Sequence, residues 1–221
     1  MAKVLLLAVS GLARETIESI AQTGDHEVVG LLDDNAALHG SELGGIPVLG
    51  PLDIAAQRTE QLLLCVGKSV ARAAVAARLG LPESRYATHV HSSVFLGAST
   101  QLGTGSIVLA GCVATANVKI GRHSVLMPHV LLTHDDSLGD FSTLAAGATL
   151  AGNVRTGDRV YIGTNSTVRE NLTLGDDCVL GMGSALLQDI PPGQTWAGAP
   201  AQLLYGPTSV QPGTGARHTR V

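Results

Sequence analysis

Aromatic residues are scarce in this chain of 221 residues: one Trp, three Tyr and two Phe, 3% in all. With 45% hydrophobic residues and 27 glycines, its interior has to be filled by aliphatic and small side chains rather than rings. Cationic residues are few as well, fourteen Lys and Arg against eighteen Asp and Glu, for a net charge of −4. Only three of them are lysines and no basic stripe exists, which argues against nucleic acid as the main partner. The three cysteines, Cys65, Cys112 and Cys178, are an odd number without metal-like spacing. They offer no disulfide framework, so a reducing, cytoplasmic setting is expected. Long apolar runs are missing too. The run Val4 to Val9 mimics a signal peptide, but it is about six residues long and Arg14-Glu15 soon follow, which suits a buried first strand. No membrane-spanning segment is expected.

What the chain does have is a period of six. Counting from Val90, every sixth residue to Leu186 gives seventeen positions, of which fifteen are Val, Ile or Leu, the exceptions being Ala114 and Thr156. Four residues after each comes a second series of mostly small residues, among them Ser106, Cys112, Ser124, Ser142, Ala148, Ser166, Cys178 and Ser184. Eight of the aliphatic positions are followed by glycine, and Gly103, Gly121, Gly139, Gly157 and Gly175 recur every eighteen residues. A six-residue unit makes one short strand and one turn, and three units close a triangular coil of eighteen. Both series then point inward, and the glycines are expected to provide the backbone freedom of the corners. Such a coil resembles the left-handed parallel β-helix of the hexapeptide-repeat acyltransferases, an exception to the right-handed crossover rule.

The first eighty-nine residues read differently. Strands over about 3–9, 26–32 and 61–66 alternate with helices over about 13–21, 52–57 and 70–79, and 35–51 reads as loop. A last strand at 86–89 leads into the coil. That alternation predicts a small Rossmann-like α/β domain over 1–89, followed by the coil over 90–191, a segment 192–205 and a disordered tail 206–221. The first turn, Ala8-Val9-Ser10-Gly11-Leu12-Ala13, has one glycine where a dinucleotide fingerprint has three. Asp33-Asp34, ending the second strand, either hold a sugar or ribose hydroxyl or merely start a turn.

His134 stands two places after inward Leu132, so its ring is expected to project outward. The residues eighteen before and after it, Ala116 and Gly152, are small, and Asp135 can orient the imidazole and raise its basicity. The α/β domain, the uninterrupted coil, His134-Asp135, Ala151-Gly152-Asn153-Val154 and the ending Gly198-Ala199-Pro200-Ala201 together resemble the nucleotide-sugar acetyltransferases of the bacillosamine, perosamine and sialic-acid type. The likeness runs from residue 3 to about 204. It implies that the N-terminal domain holds a nucleotide-linked sugar through Ser10, Gly11, Asp33, Asp34 and Gly67. It implies acetyl-CoA as co-substrate, lying along the groove between two coils of a homotrimer and touched by Thr143, Gly152, Gly181, Gly198 and Pro200. His134 would be the general base, Asp135 its orienting partner, and no metal is needed.

The chain departs from that family at four places. Leu12 replaces a first-turn histidine, Thr143 a second coil histidine, Asp136 a small inward residue, and Gln202 a basic one. A buried carboxylate at 136 has to be partnered or protonated. These departures leave amine or hydroxyl as acceptor open, and a non-catalytic sugar-binding relative as an alternative. His129 and His134 also show the H-x4-H spacing of γ-type carbonic anhydrases, whose zinc site needs a third ligand.

Overall fold

The computed structural model describes residues 1–206; the tail expected at 206–221 lies, but for Gly206, outside the described residues. Two units follow one another. The first is a parallel sheet of β1 (Ala2–Leu7), β2 (His26–Leu32), β4 (Ile46–Gly50) and β5 (Gln61–Leu64), with β3 (Glu42–Leu43) antiparallel at its edge, in the order β3-β4-β2-β1-β5. Helix α1 (Gly11–Thr23) starts at Ser10, whose Oγ accepts the Ala13 amide, and ends at Gly24 in the left-handed conformation. Helix α2 (Ser69–Leu79) ends on Gly80 in the same way. The stretch 35–51 is therefore more than loop: Gly44 and Gly45, both at positive φ, close the β3–β4 hairpin. The expected strand at 86–89 shrinks to one bridge from Tyr86 to Leu62, and His89–Val90 already forms the first rung of the coil.

The second unit is a left-handed parallel β-helix whose two-residue rungs stack on three faces. The first face carries rungs at 89, 107, 125, 143, 161 and 179; the second at 95, 113, 131, 149, 167 and 185; the third at 101, 119, 137, 155 and 173. In every rung the second residue points inward, and Leu126, Leu132, Leu144, Leu150, Ile162, Leu174, Leu180 and Leu186 form one continuous apolar column. Each such side chain contributes about 1.5–3 kcal/mol through burial. Strand Thr195–Gly198 caps the first face and folds back antiparallel on Ala201–Tyr205. Cys65, Cys112 and Cys178 are free and buried, and burial pushes the Cys65 thiol up to about 12.

The corners correct one expectation. Left-handed backbone falls on every sixth residue from 105 to 183, three places after the aliphatic residue, at Asn117, His123, Asp135, Asn153, Asn165, Asn171 and Asp177 among others. The glycines directly after the aliphatic residues are not part of that series. They are there because the next coil passes too close: a Cβ on Gly103 would sit 2.5 Å from the Arg122 nitrogen, and one on Gly121 or Gly139 would strike the backbone of Gly139 or Gly157.

The first unit sits on the first face of the coil. Leu12, Ala13 and Ile20 of its core join Ile107, Leu109 and Val125 of the coil in one cluster. Arg72 of α2 is 1% exposed in this seam and donates to the carbonyls of Val66, His123, Phe141 and Ser142 and to Thr143 Oγ1, at 2.7–3.0 Å. Burial without a carboxylate partner lowers its pKa to about 10.

Candidate active site

His134 lies on the corner between the second and third faces, with 65% of its side chain exposed. Its Nδ1 is 2.9 Å from Asp135 Oδ2. An ionised carboxylate only accepts, so Nδ1 carries the proton and Nε2 keeps its lone pair. The hydrogen bond from His134, followed by one from Asn117 Nδ2 to Oδ1 at 3.2 Å, holds the Asp135 carboxyl below its ordinary range. Asn117 occupies Asp135's place one coil earlier and is anchored by Ser99 Oγ, which accepts the Asn117 amide at 2.7 Å. Neither was anticipated, although a step of eighteen from Asp135 leads to Asn117 and then Ser99.

The ring rests over Gly152, one coil later. A Cβ there would come within 2.8 Å of His134 Nε2, and Gly152 has φ +108, outside the regular corner series. Asp136 is fully buried and partnered: Oδ2 accepts the Thr133 amide at 2.7 Å and Oδ1 the Val154 amide at 2.9 Å. Burial raises its pKa, against the Val154, Thr133 and Gly152 amides, which favour the charged form. Beside this corner the third face is a groove of about 800 Å³ lined by Gln101, Lys119, Ser137 and Arg155 together with Asn117 and Asp135.

The N-terminal candidates gather elsewhere, at the carboxyl edge of the sheet. Ser10 Oγ donates to Cys65 O at 2.7 Å, drawing the ends of β1 and β5 together, and Gly11 and Gly67 face open space. Asp33 accepts the Val9 amide at 2.7 Å and the Asn35 amide at 2.8 Å, so its carboxylate shapes the first turn. Asp34 is paired with Arg78 at 2.8 Å and accepts the Leu52 amide. Thr143 has to be moved from the cofactor set. It is 4% exposed, and its Oγ1 is engaged by Arg72, Ser69 and Gly67 O behind the Gly67 loop. Gly181 is pressed against Ala197, and Gly198 and Pro200 lie on the capping hairpin. These three belong to the end of the first face, away from the corner of His134 and Gly152. Leu12 is buried in the α1 core.

Among the described residues, the one group of three metal-ligand side chains within reach of each other is Asp25, His26 and His89, which includes neither His129 nor His134. No helix of the described residues is long and apolar enough to cross a membrane.

Comparison with known proteins agrees with this fold. Residues 3–79 match the family model of the PglD N-terminal domain, and residues 153–188 that of the hexapeptide repeat of succinyl-transferase. No curated protein matches by sequence. Among solved structures, a variant of perosamine N-acetyltransferase from Caulobacter crescentus, in complex with CoA and GDP-perosamine, superposes with a TM-score of 0.84 at 25% identity, over 93% of this chain and 98% of that one. The acetyltransferase domain of PglB from Neisseria gonorrhoeae, in complex with acetyl coenzyme A, gives 0.83 at 26% over 91% and 98%. WeeI from Acinetobacter baumannii, at 22% identity and a TM-score of 0.72 over 92% of this chain and 100% of that one, shares the fold. With a PglD-type domain running into a hexapeptide coil, this chain is similar, over nearly the full length of both those acetyltransferases, to the hexapeptide-repeat nucleotide-sugar acetyltransferases.

Proposed function

We propose that the protein transfers an acetyl group from acetyl-CoA to the amino group of a nucleotide-linked amino sugar, with His134 as general base. The observation that carries this is the exposed imidazole whose Nδ1 is held by Asp135 and whose Nε2 stands free over Gly152. Nε2 takes the proton from the amine nitrogen as that nitrogen bonds to the thioester carbonyl carbon. Charge develops on the carbonyl oxygen, where the Gly152 amide can receive it. The C–S bond then breaks and the imidazolium proton passes to the departing thiolate, leaving amide, free CoA and neutral His134. Asp135 remains ionised and holds the tautomer. Lys119 and Arg155 in the adjoining groove supply cations for phosphates of acetyl-CoA.

The three faces support a shared site. The first face is covered by the chain's own N-terminal unit, with Gly67 braced on Thr143. His134 is on the opposite corner, so sugar and base come together only between two copies. The second face turns Phe95, 58% exposed, and half-buried Val113 and Leu131 outward, an apolar stripe suited to a second copy. A closed ring of three uses each such surface once. Light scattering should give a trimer, and Leu131→Arg should dissociate it and abolish turnover together.

Thiol release from acetyl-CoA with a panel of nucleotide amino sugars tests the reaction. Release by the wild type but not by His134→Ala is expected. Equal release by both removes His134 as the base, acetylation of hydroxyl analogues alone makes the enzyme an O-acetyltransferase, and binding without release makes it a sugar-binding relative.

A further inference from the structure

At every other such step along the second face, the residue after the inward aliphatic donates its amide to the next coil: Gly97 to Ala114 O, Thr115 to Leu132 O, Ala151 to Val168 O, Arg169 to Leu186 O. At Thr133 that bond is replaced. The Thr133 amide turns to Asp136 Oδ2, and its hydroxyl takes Leu150 O instead, at 3.0 Å. Asp136 stands in a column of apolar residues, with Val118 and Val154 directly before and after it, all fully buried. Elsewhere in the coil the serines of this inward series do half of its work. Ser106 Oγ accepts the Ser124 amide at 3.1 Å and Ser166 Oγ the Ser184 amide at 3.3 Å, as Asp136 Oδ1 accepts Val154. At those corners the first amide goes to the next coil instead, Gly103 to Ile120 O and Gly163 to Leu180 O. The second carboxylate oxygen is what allows Asp136 to clamp the start of the His134 turn and the end of the Gly152 turn at once.

We infer that Asp136 is a positioning residue, whose carboxylate sets the His134 turn against the Gly152 turn and so fixes the distance between the base and the Gly152 backbone beneath it. The inference rests on the proposed acyl transfer. A carboxylate in an apolar column is costly unless fully bonded, and here the amides that bond it are those flanking the reactive corner. Displacement of a base by a fraction of an ångström lowers the chemical step while leaving substrate binding intact.

Asp136→Ser separates this role from simple support, because serine can keep the Val154 bond and fits the column but cannot reach Thr133. The expected result is kcat at least tenfold lower, KM for acetyl-CoA and for the nucleotide sugar within twofold, an unchanged melting temperature, and a shifted His134 ring resonance in the NMR spectrum. Wild-type kcat, or a fall in kcat with both KM values and the melting temperature moving together, would overturn it. If the wild type turns over no acceptor, the acyl-transfer reading fails by itself, and the His134 resonance, moved or unmoved by Asp136→Ser, still decides the placement. Should Asp136→Ser not fold, Asp136→Asn carries the same readouts, since it keeps the volume and one acceptor while presenting an amide NH2 to the other N–H.

Discussion

His123 and His134 stand on neighbouring corners, eleven residues apart, and each has a carboxylate partner: Glu83 Oε2 3.1 Å from His123 Nε2, Asp135 Oδ2 2.9 Å from His134 Nδ1. They have opposite fates. His123 is 1% exposed, stacked on Phe141 with centroids 4.9 Å apart and edge-on to Tyr86 at 4.7 Å, with its Nδ1 buried and unpartnered. His134 is open to solvent, with the nitrogen away from its carboxylate uncovered. Histidine beside acid therefore does not identify a base in this fold. What separates the two is the corner: that of His123 is closed by the N-terminal unit, that of His134 is left free, which is why His134 is the one proposed as base.

The largest effect that sharpens this contrast is on turnover. His134→Ala should lower kcat by about 10³-fold, with little change in KM or melting temperature, whereas His123→Phe, which preserves the stacking, should leave kcat within about twofold. A reversal of those two results would break the comparison. Arg72→Leu should cost about 3 kcal/mol in a denaturation series, because four seam carbonyls lose their donor, and the loss should appear as the two units coming apart. Asp135→Asn, which tolerates the left-handed φ of +63° there, should lower kcat about tenfold, by roughly 1.4 kcal/mol, since an amide holds the imidazole without stabilising its charge.

The smallest effect is on pH dependence. Burial lowers the pKa of His123, against Glu83 and with Arg122 and Arg72 nearby, and likewise of His89, against Asp25 and with His26 and His91 nearby. A base with a depressed folded-state pKa contributes stability that is full above its ordinary 6.5 and is lost as pH falls from there through the folded value. Thermal midpoints should therefore drop on going from pH 7.5 to 5.5, and the drop should shrink in His123→Phe but not in His134→Ala. An equal drop in all three would remove His123 as its origin and leave His89.

Much of the coil was legible because its period is one-dimensional: each rung meets only the rungs eighteen residues away, so the phase of the aliphatic residues assigns inside and outside directly. That phase placed Cys112 and Cys178 in the core, projected His134 outward and singled out Asp136. The corner chemistry was legible but misassigned. Asn, Asp and Gly occupy most of the sites three places after the aliphatic residue, a signal of left-handed backbone, whereas the more conspicuous glycines one place after it owe their presence to the close approach of the next coil. The β3–β4 hairpin was hidden because Gly44-Gly45 and Pro47 resemble any loop until β4 finds the edge of β2.

The sequence by itself determined the coil, its register, the exposed imidazole and its adjacent acid, because those depend on spacing along the chain. Only the tertiary structure decided which surfaces remain open, because that depends on where the N-terminal unit docks. Docking buried Thr143 and His123 in the seam and left the His134 corner and the groove of Lys119 and Arg155 uncovered, while the packing of α2 beside β2 within the first unit tied Asp34 to Arg78. Asp136 needed both: its phase showed a carboxylate in an apolar column, and the fold showed the Thr133 and Val154 amides that make that carboxylate stable there.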